Sequence, residues 1–182
     1  TSSTSLATRG YVDTIAAGLN WHDAVAYATA AALSACTYAN GTLGVGATLT
    51  GNANARLTVD GTSQTTGKSI LVKDQATTTQ NGIYIITEQG SGSTPFVLTR
   101  RTDSNNSVAG QVSAGDSVYV VSGSSNGGQA FILTSAGTGT DSAIVFGTDN
   151  LSFSQFTGTA AFLVGDGMVK TGNSIDVVSA NG

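Results

Sequence analysis

The stretch "SILVKDQATTTQNGIYIIT", residues 69–87, places an apolar run, "ILV", and a second, "IYII", on either side of a polar segment. Both runs are β-branched or aromatic and short, and Asn81-Gly82 supplies residues that tolerate positive φ. The pattern predicts antiparallel strands over 70–73 and 83–87, with 74–82 as their surface connection. Strand alternation then sends Ile83 and Ile85 to one face, and Tyr84 and Ile86 to the other. Lys73 and Asp74 mark where the first strand leaves the core. Nothing around them makes a reaction centre.

The same signals recur outward from this hairpin. "ATLT", "RLTVDG", "FVLTRR", "SVYVVS", "AFILTS", "AIVFGT" and "LSFSQFTG" are short runs separated by Gly, Asn or Asp. A spacing of about ten residues between such runs is the signature of an all-β sandwich or barrel. "HDAVAYATAAALSACTYAN", from His22, is ambiguous. Helix propensity is high up to Ala32, yet Val25, Tyr27 and Thr29 alternate with smaller residues. The reading is strand or irregular structure.

The ends differ from the middle. The chain opens "TSSTS" without a starting Met, as a processed product or a piece of a longer chain would. In "SLATRGYVDTIAAGLNW", Val12, Ile15 and Leu19 fall on one seam of a helix, with Thr8 as N-cap and Gly18 and Asn20 as stop signals. So narrow a stripe calls for partner helices, although packing on its own domain is the plainer alternative. The tail reads as two extended pieces, "MVKT" and "SIDVV", around a Gly172-Asn173 turn. The expected organisation is a helical trimerisation segment over 1–20, a β-rich globular domain over 21–160, and an extended β linker over 161–182. The fold class is mainly β: a short coiled-coil helix, a sandwich- or barrel-like domain, and linker strands.

Composition narrows the function. Charged residues are 10% of the 182, against roughly 25% in an average soluble protein, and Gly, Ser, Thr and Ala fill the gap. Net charge is −4, and the seven basic residues stand singly except Arg100-Arg101. That gives no phosphate-tracking stripe, so nucleic acid is not an expected partner. No apolar run is long enough for membrane insertion, and no signal peptide is recognisable. Cys36, the one cysteine, sits among small apolar residues and reads as a packing thiol, which suits assembly in a reducing cytoplasm. His22, the one histidine, reads as packed or solvent-exposed. The acids are scattered, with no two within two residues of each other. "TDSNNS", 102–107, has the oxygens of a calcium loop but reads as an Asx-rich turn. No G-x-S-x-G, zinc spacing or phosphate cradle is present. No catalytic residue, metal or cofactor is expected.

"ILVKDQ" followed by "QNGIY" resembles a module of tailed-bacteriophage tail fibre and receptor-binding proteins, and the likeness extends over nearly the whole chain. Gly18 to Trp21 looks like the end of the family's entering helix. "ATLTGNANARLTVDG", 47–61, is similar to the stretch before the first hairpin. Leu98, Arg100 (or Arg101) and Asp103 match a Leu-x-Arg-x-x-Asp segment. "LSFSQFTG" matches the closing strand, and "VGDGMVKTGNSIDVV" a linker to a following module. Gly67-Lys68-Ser69 stands where the family often has Gly-Asp-Arg, and "GQAFILTS" lacks the family's common Trp.

The resemblance implies a non-enzymatic structural segment of a virion tail fibre, assembled in the host cytoplasm as a homotrimer. Its partners would be other tail or fibre proteins and a bacterial surface glycan or receptor. The trimer gives the Val12, Ile15 and Leu19 seam its partners. A carbohydrate-binding adhesin is the alternative, and would show an exposed aromatic platform, with Tyr11, Tyr38, Tyr84 and Tyr119 as candidates. A glycan depolymerase is the least favoured, because it needs two acids in a groove.

Overall fold

The structure is a computed structural model; it describes residues 20–108 and 110–155, together with the backbone of 168–171 and 174–177. Residues 69–87 form the expected hairpin. β7 (Ser69–Val72) and β8 (Gly82–Glu88) run antiparallel, with Ile70 opposite Tyr84 and Leu71 opposite Ile83. Strands buried on both faces read as continuous apolar runs, and this hairpin is the central example. Ile70, Val72, Tyr84 and Ile86 enter one core cluster, while Leu71 and Ile83 enter another.

The hairpin lies inside a six-stranded sheet of order β2-β7-β8-β9-β4-β3. Its other members are β2 (Tyr27–Ala28), β3 (Cys36–Ala39), β4 (Thr48–Gly51) and β9 (Val97–Arg100). In β4 and β9 buried and partly exposed residues alternate, so Leu49 and Leu98 face the core while Thr50 and Thr99 do not. A small hairpin, β5 (Thr58–Val59) and β6 (Thr62–Ser63), covers that face of the sheet, setting Leu57 and Val59 against Leu49, Tyr84, Phe96 and Leu98.

A four-stranded sheet of order β1-β10-β11-β12 packs on the opposite face. It comprises β1 (Trp21–Val25), β10 (Ser117–Val120), β11 (Gln129–Leu133) and β12 (Phe153–Gln155). Val118, Val120 and Phe131 meet Leu71 and Ile83 between the sheets. One strand serves both layers. β1 runs parallel to β10, and after Ala26 the chain becomes β2, parallel to β7. The Ala26 amide donates to Ser69 O at 2.8 Å while its carbonyl accepts from the Ser122 amide at 2.9 Å. A third cluster, Val112, Leu133, Ile144, Phe146 and Leu151, fills the end of the small sheet.

Two sheets sharing a core fit the expected sandwich. Neither sheet closes on itself, so the barrel alternative is set aside. The described helical pieces are single 3-10 turns at Thr78–Gln80, Thr102–Ser104 and Thr140–Ser142. The Ala-rich segment is strand to Ala28 and irregular from 29 to 35, because its amides bond outward. Thr29 N donates to Leu71 O, and Leu33 N to the Gln75 side chain. In the tail, β13 (Met168–Thr171) pairs antiparallel with β14 (Ser174–Val177). The seam residues Val12, Ile15 and Leu19 lie outside the described residues.

Ile83 is fully buried between the sheets, whereas Ile85, on the same side of β8, is only half-buried. Ile83→Ala is expected to cost about 2–5 kcal/mol, and Ile85→Ala clearly less. Urea denaturation of the two variants checks this, and equal losses would contradict it.

Candidate functional site

The 74–82 segment is more than a connection, which corrects the expectation from sequence. Asn81 is buried, and its side chain joins three backbone groups. Its amide donates to Lys73 O at 3.1 Å and Leu151 O at 3.0 Å, while its Oδ1 accepts from Gln75 N at 3.0 Å. Gln75 Oε1 accepts from Leu33 N at 2.8 Å. Asp74 Oδ2 accepts from Thr29 Oγ1 at 2.6 Å, and that same hydroxyl oxygen accepts from Lys73 N at 3.0 Å. Lys73, Asp74 and Gln75 thus fasten the irregular 29–33 segment to the hairpin.

Under this loop lies Arg100, only 2% exposed. Its Nη1 donates to Asn81 O at 3.0 Å, and its Nη2 to Tyr84 Oη at 2.7 Å and Tyr38 Oη at 3.4 Å. The guanidinium sits over the rings of Tyr84 and Phe146, at 4.7 and 4.5 Å from their centroids. Nε alone finds no acceptor among the described residues. Tyr84 Oη donates onward to Gln80 O at 2.6 Å. Burial, eased by the Arg100 charge, drives the Tyr84 pKa upward, so the phenol stays neutral. Gly82 is required here: its φ is +138, and a Cβ would stand 2.0 Å from Arg100 Nη1.

A second polar cluster surrounds His22, whose side chain is almost fully buried. Its Nε2 lies 3.1 Å from Asp116 Oδ2, and its Nδ1 lies 3.4 Å from Asp103 Oδ2. Asp103 is in turn held by two hydrogen bonds from Arg101. Asp116 also accepts from the Asn20 side chain. Burial works against a charged imidazole, but the hydrogen bond and charge of Asp116, then Asp103, outweigh it and raise the His22 pKa. Burial likewise opposes the Asp103 carboxylate, and Arg101, then His22, overcome it and hold that pKa low. The cluster ties the start of β1 to the start of β10 and to the 102–104 turn. The residues after that turn form an Asx turn, with Ser107 N donating to Asn105 Oδ1.

The remaining titratable groups among the described residues are likewise tied into local contacts. Both ring nitrogens of His22 face carboxylates. The Cys36 thiol touches the Gln75 amide at 3.4 Å, and burial pushes its pKa up. Asp60 accepts from the Ser125 and Asn126 amides and the Ser124 hydroxyl, and Gly123 has no Cβ to collide with it. Asp149 accepts from the amides of Thr138 and Val145. Both carboxyls are held below their usual range by these donors, which outweigh burial. Among the described residues, no three His, Cys, Asp or Glu side chains converge to hold a metal ion. No described helix is long and apolar enough to cross a membrane.

Clefts open on the surface among the described residues. One, of ≈ 390 Å3, lies between the 29–34 segment and the Asp60-Gly61 turn. Another, of ≈ 400 Å3, runs beside the sheet-switching strand and is lined by Ala26, Tyr27, Lys68, Ser69, Val121 and Ser122. Of the four tyrosines singled out in the sequence, Tyr84 is core, Tyr38 is half-buried, and Tyr11 lies outside the described residues. Tyr119 is 42% exposed, on the outer face of the small sheet. Sequence reasoning passed over Trp21, 51% exposed on the neighbouring strand, and Val121, 57% exposed. The available signal was "SVYVVS", where Tyr119 alternates with the inward Val118 and Val120. No family model, curated protein or solved structure matches the chain.

Two outcomes follow from the polar clusters. Asn81→Ala strands buried groups on Lys73, Gln75 and Leu151, each costing about 1–3 kcal/mol when unpaired. It should therefore destabilise the fold far more than replacement of the half-exposed Gln80, as thermal melts would register. Because the folded pKa of His22 is raised, its contribution is full below the unfolded value and fades as pH rises through the folded one. Asp103, with its pKa lowered, acts oppositely and loses its contribution as pH falls through the folded value. Stability should therefore decline on the alkaline side of the His22 titration, and His22→Gln should flatten that decline in a pH series of melts.

Proposed function

We propose that the chain is a structural segment of a bacteriophage tail fibre, contributing to a trimeric host-recognition appendage. One observation supports this above others. The residues that carry the resemblance, Lys73-Asp74-Gln75, Asn81-Gly82, Arg100 and Asp103, are those that join the layers through the two polar clusters. A motif of that kind specifies a module rather than a reaction. The chain also enters at β1 and leaves at β12, the two outer strands of one sheet. That arrangement suits a unit strung between neighbours.

In this reading the protein is not an enzyme. Asp60, Asp116 and Asp149 are occupied by structural hydrogen bonds rather than paired across a groove. A carbohydrate-binding role within the same appendage is favoured by the exposed Tyr119 and Trp21. The fibre would be a homotrimer in the virion, joined to other tail proteins, with Val12, Ile15 and Leu19 on its axis.

Light scattering is expected to give about three times the chain mass of 18.1 kDa. Each aliphatic side chain buried at such a seam contributes about 1.5–3 kcal/mol. Ile15→Asp should dissociate the assembly, since three like charges would meet near one axis. A wild-type monomer at high concentration would contradict the trimer. Images of tailed phage particles carrying this chain, decorated with an antibody against it, should show label along a fibre; label elsewhere on the virion would overturn the fibre assignment.

A further inference from the structure

We propose that the free edge of β3 pairs with the same edge of a second copy of this chain, antiparallel, about a two-fold axis at Thr37. The inference goes beyond the fibre reading and does not depend on it.

The ladder shows which backbone groups are open. β3 is the last strand of the six-stranded sheet and has only β4 beside it. Gly51 N donates to Phe96 O at 3.0 Å, so Gly51 and Leu49 turn their polar groups toward β9. Asn52 N donates to Ala35 O at 2.9 Å, so Asn52, Thr50 and Thr48 turn theirs toward Ala35, Thr37 and Ala39. Residues along an antiparallel ladder alternate in this way. The amides and carbonyls of Cys36 and Tyr38 therefore point away from the sheet, and none is bonded to another described residue. Two open residues flanking a closed one make a self-complementary edge. In the two-fold pair, Cys36 of each copy exchanges both bonds with Tyr38 of the other, and the two Thr37 residues face each other between them.

Nothing on this edge blocks such a contact. Proteins keep open edges apart with charges, prolines, bulges or covering loops. From Ala24 to Ala55 there is no charged residue and no proline, the longest uncharged stretch in a chain of net charge −4. β3 meets β4 without a bulge. The other edges of the two sheets differ: β2 and β12 have 2 and 3 residues, and β1 carries His22 and Asp23. Two copies therefore approach at β3 without repulsion.

The side chains favour the same register. Cys36 and Tyr38 pack toward the core, while Thr37 and Ala39 are exposed on the other face. Thr37 stands opposite Thr50, so pairing sets a row of threonines across the contact, two from each copy. Facing threonines stabilise a ladder. Beyond β3 the chain turns at Asn40-Gly41 and leaves Leu43 and Val45 56% and 39% exposed. Leu43 has φ +52, fixed by the paired bonds between Thr42 and Val45. Non-glycine residues rarely adopt that conformation, and an exposed leucine in it gains little burial within one copy. Antiparallel pairing carries this loop toward the exposed Ala31 and Ala32 of the second copy, an apolar surface for it to cover.

Four ladder bonds and a small apolar contact hold such a pair weakly, so a covalent trap is the test. Facing non-bonded residues have Cα atoms about 4.5 Å apart, within disulfide reach. The two Ala39 residues would stand about 13 Å apart, four strand steps, beyond it. The full chain would be oxidised as Cys36→Ala/Thr37→Cys and as Cys36→Ala/Ala39→Cys at equal concentration, then resolved on a non-reducing gel. The first is expected to give disulfide-linked pairs at least about ten times faster than the second, with both melting where the Cys36→Ala chain melts. Equal rates would mean random collision, and no linked pair would mean an edge that stays open; either overturns the proposal. The unaltered chain gives a second reading. Hydrogen exchange at the Cys36 and Tyr38 amides should slow as concentration rises, while the Thr37 amide stays protected throughout. Exchange at Cys36 and Tyr38 that ignores concentration would also sink the pairing. Linked pairs from a chain that light scattering finds otherwise monomeric would keep this inference while the trimer reading fell.

Discussion

A positive charge buried between two aromatic rings sets the terms for the rest of this fold. Moving a guanidinium out of water is costly unless its donors are engaged; among the described residues no carboxylate bonds to Arg100, and only its Nε finds no acceptor. Its stabilisation comes from the Tyr84 and Phe146 faces, from the Asn81 carbonyl, and from two tyrosine hydroxyls. Cation–π contacts strengthen when desolvated, to about 2 kcal/mol or more. The site therefore demands that water be kept out. Gly82 must lack a side chain, Asn81 must turn its carbonyl inward, and the 74–82 loop must close over the top.

The loop closes by handing its own polar groups to distant backbone. Asn81 bonds the carbonyl of Leu151, and Asn40 bonds that of Phe146, whose ring completes the Arg100 site. The third apolar cluster is thus joined to the large sheet through polar contacts as well as packing. Through Arg101, the residue after Arg100, the His22 cluster fixes the first residues of β1 against β10, with two carboxylates set around the imidazole and one guanidinium. Polar residues inside this protein specify which loops sit where. The apolar residues supply the driving force but would tolerate several arrangements.

The hairpin at 69–87 was legible from sequence because strands buried on both faces carry an unbroken apolar run, and its strand bounds came within one residue. The nine or so recurring β runs gave the class. What the sequence hid was long-range. Asn81 and Gln75 look like turn residues, and only the approach of Leu33, Leu151 and Arg100, remote in the chain, reveals them as buried connectors. His22 looked idle because Asp103 and Asp116 lie some eighty residues or more further on. Trp21 and Val121 were missed as surface residues because exposure on a sheet face depends on whether another layer covers it, which no local pattern records. The Ala-rich segment is strand and then irregular, as read, because helix propensity is a weak prior once backbone amides find partners elsewhere.

The strand that changes sheets at Ala26 has a mechanical consequence. Both halves of it are paired in parallel, β1 with β10 and β2 with β7. Tension applied along the chain from residue 20 would draw this strand lengthwise past its neighbours. The ladder bonds in both sheets would then be loaded together in shear, rather than opened one after another as in peeling a hairpin. The Ala26 peptide, bonded to one sheet through its amide and to the other through its carbonyl, passes the load between layers. Two sheets yielding at once make a stiff anchorage for whatever pulls on that end.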